Sequence, residues 1–360
     1  MKHFSCKTEI LSGPGAISFL GTLKPRRVFL ISDPYFVKNG LADRVLKAAG
    51  GETSAVFGEI APDPSAELAA KATASFQKTD PDLLIALGGG SAIDLAKAVA
   101  YFSGTKAAFA AIPTTSGSGS EVTDFAILTH EGVKQPLVDP SLKPDYAILD
   151  PELLKTLPKS LIADAGFDVI SHALEAAGAK DAGEMSDLFA KEAFRLAYEN
   201  LPASYAGDLR AREPVHLASS MAGMAFTQAG LGLCHGVSHS LGGLTHVPHG
   251  RLNAIVLPWV LEINRKSVLG KYAELWRFAG GSGSADTVAF RNLQNGLLRL
   301  RKQLGLPENL YQAGVAPETV RRNMDGLVSS ILADPCCGSN PVPVTGEILR
   351  KLLDQVTGCG

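Results

Sequence analysis

Asp82–Phe102 reads DLLIALGGGSAIDLAKAVAYF. Asp82–Leu87 has the length of a strand and no polar residue after its first. An uninterrupted apolar run of that length suits a strand buried on both faces, as in a parallel sheet. Three glycines follow, and then an apolar-periodic stretch, with Ser91 placed as the N-cap of a helix. Glycines expose backbone N–H groups and a helix N-terminus adds partial positive charge, so Gly88-Gly89-Gly90-Ser91 reads as a phosphate cradle, with an ordinary tight turn as the plainer alternative. The segment is neither GxGxxG nor GxxxxGK[ST], so the commonest dinucleotide and P-loop patterns do not describe it.

Working outward, the same strand-then-helix rhythm recurs. Arg27–Asp33 is an apolar run ending in a carboxylate, followed by Pro34 and an amphipathic stretch to Ala49. Ala55–Ile60 reads as a short strand, Ser65–Lys78 as a helix, and Phe109–Ile112 and Asp145–Leu149 as further strands. Alternation of this kind predicts a layered α/β domain with a mostly parallel sheet, whose ligands bind at the carboxyl ends of the strands. The Gly/Ser/Thr-rich run Thr114–Glu121 (TTSGSGSE) is expected at such an end, as Gly88–Ser91 is, and two such loops at neighbouring strand ends would converge on one crevice. Asp33 would accept from ribose hydroxyls and repel a 2′-phosphate, which favours NAD over NADP.

From about Pro158 the texture changes to long helical periodicities: Ser160–Ala177, Met185–Asn200, Pro214–Thr227, Leu252–Asn264 and from Lys271 onward. The expected organisation is an α/β dinucleotide-binding domain over 1–157 and an all-α metal-binding, catalytic domain over 158–360.

Composition narrows the class. The chain is 46% apolar and 19% charged with a net charge of −2, which argues against nucleic-acid or anionic-membrane binding. No apolar run approaches the roughly 18 residues of a membrane span, and MKHFSCKTEI lacks the apolar core of a secretory signal. Five scattered cysteines without CxxC spacing suit a reducing cytoplasm.

The helical half carries the densest chemistry. Leu231–Gly250 (LGLCHGVSHSLGGLTHVPHG) holds His235, His239, His246 and His249, four of the eight histidines in the chain. Glycines interleave them, and glycine lets backbone approach closely and turn sharply, which suits a site built around an ion. In GFDVISHALE, Asp168 and His172 are four apart, so on a helix they share a face with Cβ atoms roughly 6 Å apart. One carboxylate with two or three imidazoles suits Fe(II), Zn(II), Co(II) or Mn(II). Spacing alone leaves open which histidines bind. A nucleotide crevice combined with such a metal suits hydride transfer, with the metal as Lewis acid and a nearby histidine relaying the alcohol proton.

The segments GGGSAIDLAKA, AIPTTSGSGSEVT, AILDPELLKTLP, GFDVISHALEA and GLGLCHGVSHSLGGLTHVPHGRLNAIVLP together resemble the iron-containing (group III) alcohol dehydrogenases over essentially the whole chain. The AGMAFTQAGLGL segment and compact length are most similar to the propanol and ethanol dehydrogenases of bacterial microcompartments. The resemblance implies the dehydroquinate synthase-like fold, with the site in a cleft between the two domains. It also implies metal ligands Asp168, His172, His235 and His249, with His239 unligated beside the substrate as the catalytic residue. NAD(H) would lie against Asp33, Gly88, Gly89, Gly90, Ser91, Asp94, Thr114, Thr115, Thr123 and Lys134. Fe(II) is the usual metal of the family, Zn(II) serves some members, and homodimers are the common unit. Asp63 stands where many members carry Asn, and Ser240 where many carry Pro.

The activity implied is interconversion of short aliphatic aldehydes and primary alcohols, such as propanal and 1-propanol or acetaldehyde and ethanol, in the cytoplasm or a microcompartment lumen. The competing expectation is another activity of the superfamily: a glycerol dehydrogenase-like reaction on a polyol or keto substrate, or a dehydroquinate synthase-like lyase. The lyase needs a pocket rich in Lys, Arg and Asn, whereas the stretch around the histidines is apolar and glycine-rich. A structural metal in a non-enzyme is a third possibility, disfavoured because structural sites are often thiolate-rich and need no nucleotide crevice.

Overall fold

The computed structural model describes residues 4–130 and 133–358. The chain forms two compact units, one spanning Ser5–Leu157 and the other Pro158–Gly360 together with the N-terminal residues through Phe4.

The described residues of the first unit form the strands β1 (Glu9–Ser12), β2 (Arg27–Ser32), β3 (Thr53–Phe57), β4 (Leu83–Gly88), β5 (Ala108–Pro113), β6 (Phe125–His130), β7 (Val133–Val138) and β8 (Tyr146–Leu149). Its helices are α1 (Pro34–Lys38), α2 (Leu41–Ala49), α3 (Ala66–Thr79) and α4 (Gly90–Ser103). Six strands form one sheet in the order β1-β8-β5-β4-β2-β3, every pair parallel. The apolar runs are uninterrupted because successive side chains feed two different cores. Phe29, Ile31, Leu84, Ala86, Phe109 and Ala111 pack with α3 and α4 on one face. Val28, Leu30, Leu83, Ile85, Ala110 and Ile112 pack with α2 and the turn of 3-10 helix at Ala16–Leu23 on the other.

Several boundaries differ from expectation. The stretch Pro34–Ala49 is two helices, because Gly40 adopts φ 83 between them. The second strand covers Thr53–Phe57 rather than Ala55–Ile60. Gly89, not Ser91, caps α4, so Ser91 lies inside the first helical turn. The antiparallel hairpin β6–β7 was not anticipated, since Lys134, Gln135 and Pro136 interrupt its apolar pattern.

The second unit holds α5 (Lys159–Gly178), α6 (Glu184–Ala206), α7 (Arg212–Ala229), α8 (Leu233–Thr245), α9 (His249–Phe278), α10 (Asp286–Gln303), α11 (Pro317–Arg322), α12 (Met324–Ala333), α13 (Pro335–Gly338) and α14 (Gly346–Thr357). Two helices run through a proline. Pro202 lies inside α6 and Pro258 inside α9, and α9 bends instead at Val268, where φ is −134 and ψ 21. Proline deletes one backbone hydrogen bond, and packing of the buried faces around it carries the helix through.

The histidine-rich stretch is the largest correction. It forms no glycine-built loop: Leu233–Thr245 is helical, with Gly236, Gly242 and Gly243 inside it. Some glycines are there for close packing. A Cβ on Gly236 would stand 2.5 Å from Cys337 Sγ, and one on Gly250 would stand 1.9 Å from the carbonyl oxygen of Asp164. Only His246, which adopts φ 58 and ends α8, makes the expected turn.

Candidate metal centre and nucleotide loops

Three helices bring the metal candidates together. Helix α5 presents Asp168, His172 and Glu175 on one buried face, at the i, i+4, i+7 spacing. Helix α8 contributes His235, and the first turn of α9 contributes His249 with Asn253 one turn later. Arg251 fixes the start of α9 to α5 through a two-pronged pair with Asp164, at 3.1 and 3.0 Å.

Asp168 Oδ1 is the point of convergence. It lies 3.8 Å from Nε2 of His172 and 3.6 Å from Nε2 of both His235 and His249. Asn253 Nδ2 donates to that oxygen at 2.7 Å and stands 3.3 and 3.2 Å from Nε2 of His235 and His249. A positively polarised amide group thus sits among one carboxylate oxygen and two imidazole nitrogens. That donor set fits a divalent cation of intermediate softness. Asp168, His235 and His249 form the tightest group, their ligand atoms all within 4.8 Å of one another. His172 stands just outside it and stacks its ring on His235, centroids 4.5 Å apart.

Glu175 was not singled out in the sequence, yet it organises the centre. Its Oε2 lies 2.5 Å from His235 Nδ1, which leaves Nε2 to face Asp168. The same carboxylate accepts the backbone N–H groups of Cys234 at 2.6 Å and His235 at 3.2 Å, while Asn340 Oδ1 accepts that of Leu233 at 3.2 Å. These are the first N–H groups of α8, which lack partners within the helix. A negative charge there also suits the helix dipole. The only advance signal was the seven-residue spacing of Glu175 from Asp168.

Charge and burial compete across the cluster. Burial opposes ionisation of Asp168, but His172, His249 and His235 outweigh it and hold the carboxyl well below the usual range. Burial also disfavours a charged His235, yet the neighbouring carboxylates of Asp168 and Glu175 prevail and raise it to about 9. For His249 burial wins, with the neighbouring histidines adding to it against Asp168, and the imidazole falls well below its ordinary value.

His239 stands apart from the convergence. Its Nδ1 lies 2.9 Å from Asp334 Oδ2 and its ring stacks on His249 at 5.1 Å, with 37% of the side chain exposed. It is therefore beside the cluster and reachable from solvent. His246 is exposed and outside the cluster.

In the other unit, β4 and β5 are neighbours, and their loops touch. Thr114 N donates to Gly88 O at 3.0 Å. A Cβ on Gly89 would stand 3.3 Å from Thr115 Oγ1, and one on Gly90 3.2 Å from Ser118. Ser91 follows in the first turn of α4. Close backbone approach at a helix N-terminus fits a phosphate group. Asp33 directly follows β2, the other neighbour of β4, and caps α1 by accepting from Tyr35 N at 2.8 Å.

Asp94 is half-buried and Thr123 fully buried, and both are held by hydrogen bonds around the second loop. Both Asp94 oxygens are engaged, by Ser120 Oγ at 2.6 Å and Ile127 N at 3.1 Å. Thr123 Oγ1 accepts from Lys97 Nζ at 2.7 Å, and Lys97 also donates to Phe125 O at 2.7 Å. Burial lowers the Lys97 ammonium to about 8 against the pull of Asp94, Glu121 and Asp124. Lys97 was a missed residue that ties α4 to the second loop. Lys134, on β7, pairs with Asp63 at 2.6 Å, and Asp63 adopts φ 55, a conformation that Asp and Asn tolerate better than most residues.

Comparison with known proteins adds an independent line. The family model described as "Iron-containing alcohol dehydrogenase" matches residues 7–151, and that of the "Fe-containing alcohol dehydrogenase family, C-terminal" matches residues 162–357. The 1-propanol dehydrogenase PduQ of Salmonella typhimurium is 36% identical, covering 99% of this chain and 100% of the relative. The NADPH-dependent butanol dehydrogenase of Clostridium saccharobutylicum is 35% identical, covering 99% of this chain and 98% of the relative. Among solved structures, the sulfoacetaldehyde reductase of Bifidobacterium kashiwanohense in complex with NAD+ superimposes with a TM-score of 0.89 at 26% identity, covering 100% of both chains.

Proposed function

The chain belongs to the iron-containing alcohol dehydrogenase family and is an alcohol oxidoreductase; on that footing we propose that it reversibly reduces short aliphatic aldehydes to primary alcohols with NADH. The observation that carries the reading is the convergence of three imidazole nitrogens on one oxygen of Asp168.

In this reading Asp168, His172, His235 and His249 hold Fe(II), with Zn(II) as the substitute the same donors accept. The cation supplies Lewis acidity toward the carbonyl or alcohol oxygen, and the nicotinamide supplies or receives the hydride. The residues of the chain do the rest. Glu175 holds the His235 ring so that Nε2 faces the ion. Gly88–Ser91 with Thr114 and Thr115 receives the pyrophosphate at the start of α4, while Asp94, Thr123 and Lys97 keep the two loops in register. Asp33 accepts from the ribose hydroxyls, and Lys134 supplies a cation near them. His239, oriented by Asp334, exchanges the alcohol proton with solvent.

The cofactor preference rests on Asp33, since a carboxylate at the end of β2 repels a 2′-phosphate. A homodimer, working in the cytoplasm or a microcompartment, completes the reading and follows from the sequence resemblance. No described helix is long and apolar enough to cross a membrane.

The test is a substrate panel. Anaerobically prepared protein loaded with Fe(II) should oxidise NADH with acetaldehyde, propanal and butanal, and NADPH much more slowly. Turnover confined to polyols or keto acids would reject the short-aldehyde reading.

A further inference from the structure

His239, Asp334 and Cys336 form a second group of unlike donors in the helical unit. One ligand atom of each lies within 4.8 Å of the other two, and all three residues are partly buried. Three different elements of sequence build it. His239 comes from the middle of α8, Asp334 from the junction of α12 and α13, and Cys336 from the first turn of α13.

The local chain fixes the orientations. Asp334 caps α13, its Oδ1 accepting from Cys336 N at 2.8 Å, which turns Oδ2 toward His239 Nδ1 at 2.9 Å. Pro335 fills the first helical position, where no N–H is needed. The adjacent cysteines face different neighbours. Cys337 is buried against Gly236, where an added Cβ would reach its Sγ at 2.5 Å. Cys336 is left to the cluster with His239.

The geometry points to a second metal site at His239, Asp334 and Cys336 that takes a thiophilic divalent cation, Zn(II) in particular, and inhibits the enzyme by occupying His239. An imidazole, a carboxylate and a thiolate make three protein ligands with a fourth position open. Tetrahedral ligand atoms around Zn(II) stand roughly 3.3–3.8 Å apart, given bonds of about 2.0–2.3 Å, so modest side-chain rotations close the set. Thiolate softness selects Zn(II) over Fe(II) here, while the first centre has no sulfur among its candidate ligands. Binding exchanges the Cys336 S–H proton for a metal–sulfur bond, and the proton passes to solvent without any redox change. The binding part stands alone; the inhibitory part rests on the role given to His239 above.

Cadmium is the probe, because a cadmium–thiolate bond has its own charge-transfer absorbance in the ultraviolet. Protein carrying one Fe(II) per chain should take up one Cd(II) with growth of that band. C336S should lose both the band and the second equivalent, C337S should keep both, and D334N should bind about tenfold more weakly or worse. H249A, which damages the first centre, should keep the band. An absent band in the wild-type protein, or one unchanged in C336S, would overturn the site. Zn(II) should lower aldehyde reduction in step with occupancy, and C336S should resist it. A cadmium band in a protein inactive on every aldehyde would retain the site and reject the functional reading; full activity with the site filled would reject inhibition.

Discussion

Glu175 Oε2 lies 2.5 Å from Nδ1 of His235, while the other oxygen of the same carboxylate accepts the N–H of Cys234 at 2.6 Å. One side chain on α5 therefore fixes both the imidazole that faces Asp168 and the end of the helix that carries it. A carboxylate behind a ligating histidine holds the ring's tautomer and orientation and raises its basicity.

E175Q should weaken metal affinity about 10- to 100-fold while keeping the fold, because the amide oxygen can still accept from the start of α8. Competition against a chromophoric chelator measures the affinity, and circular dichroism measures the fold. An unchanged affinity would assign Glu175 to helix capping alone.

The glycines of the histidine-rich stretch should separate into two kinds. A Cβ on Gly250 meets the backbone oxygen of Asp164 at 1.9 Å and Asp168 Cβ at 3.2 Å, so G250A must push α9 from α5. It should cost about 2 kcal/mol or more and reduce metal content, since the clash is with backbone that cannot rotate away. Nothing lies within 4 Å of a Cβ on Gly243. G243A should leave metal content intact and stabilise the helix by up to about 1 kcal/mol. Denaturant melts with metal analysis compare the two.

Asp33 offers a clean test of cofactor choice. D33S keeps a capping oxygen for α1 but removes the negative charge. The ratio of kcat/KM for NADPH over NADH should rise roughly tenfold or more, equivalent to about 1.4 kcal/mol. A ratio that does not move would remove Asp33 from the cofactor site.

His216 on α7 predicts an acid limit to stability. Burial lowers its imidazole from 6.5 to about 4. The folded state then binds fewer protons than the unfolded one between those values. Its contribution is complete above pH 6.5 and is lost as pH falls toward 4, by up to about 3 kcal/mol. In H216Q the fall in stability between pH 6.5 and 4, measured by urea melts, should be shallower than in the wild-type protein.

The parallel sheet was legible because Val28–Ile31, Leu83–Leu87 and Phe109–Ile112 leave no exposed face, a pattern that a half-solvated sheet does not produce. Asp168 and His172 were legible as a pair because helical spacing alone puts them on one face. The contributions of Glu175, Asn253 and Asp334 were not, because each works through a partner 60, 85 or 95 residues away. Of the two uses expected of glycine beside the histidines, sharp turning fails because α8 runs through Gly236, Gly242 and Gly243, whereas close approach is seen at Gly236, which admits the Cys337 side chain. Hairpin β6–β7 escaped because Asp94 and Lys97 anchor the start of β6 through tertiary bonds that local pattern does not encode.

The most direct test follows NADH oxidation with propanal by metal-stripped protein before and after addition of Fe(II), in the wild-type chain and in H249A. The account predicts turnover only in the iron-loaded wild-type protein, with H249A folded but inactive. Equal turnover in the metal-free protein, or in H249A, would contradict it.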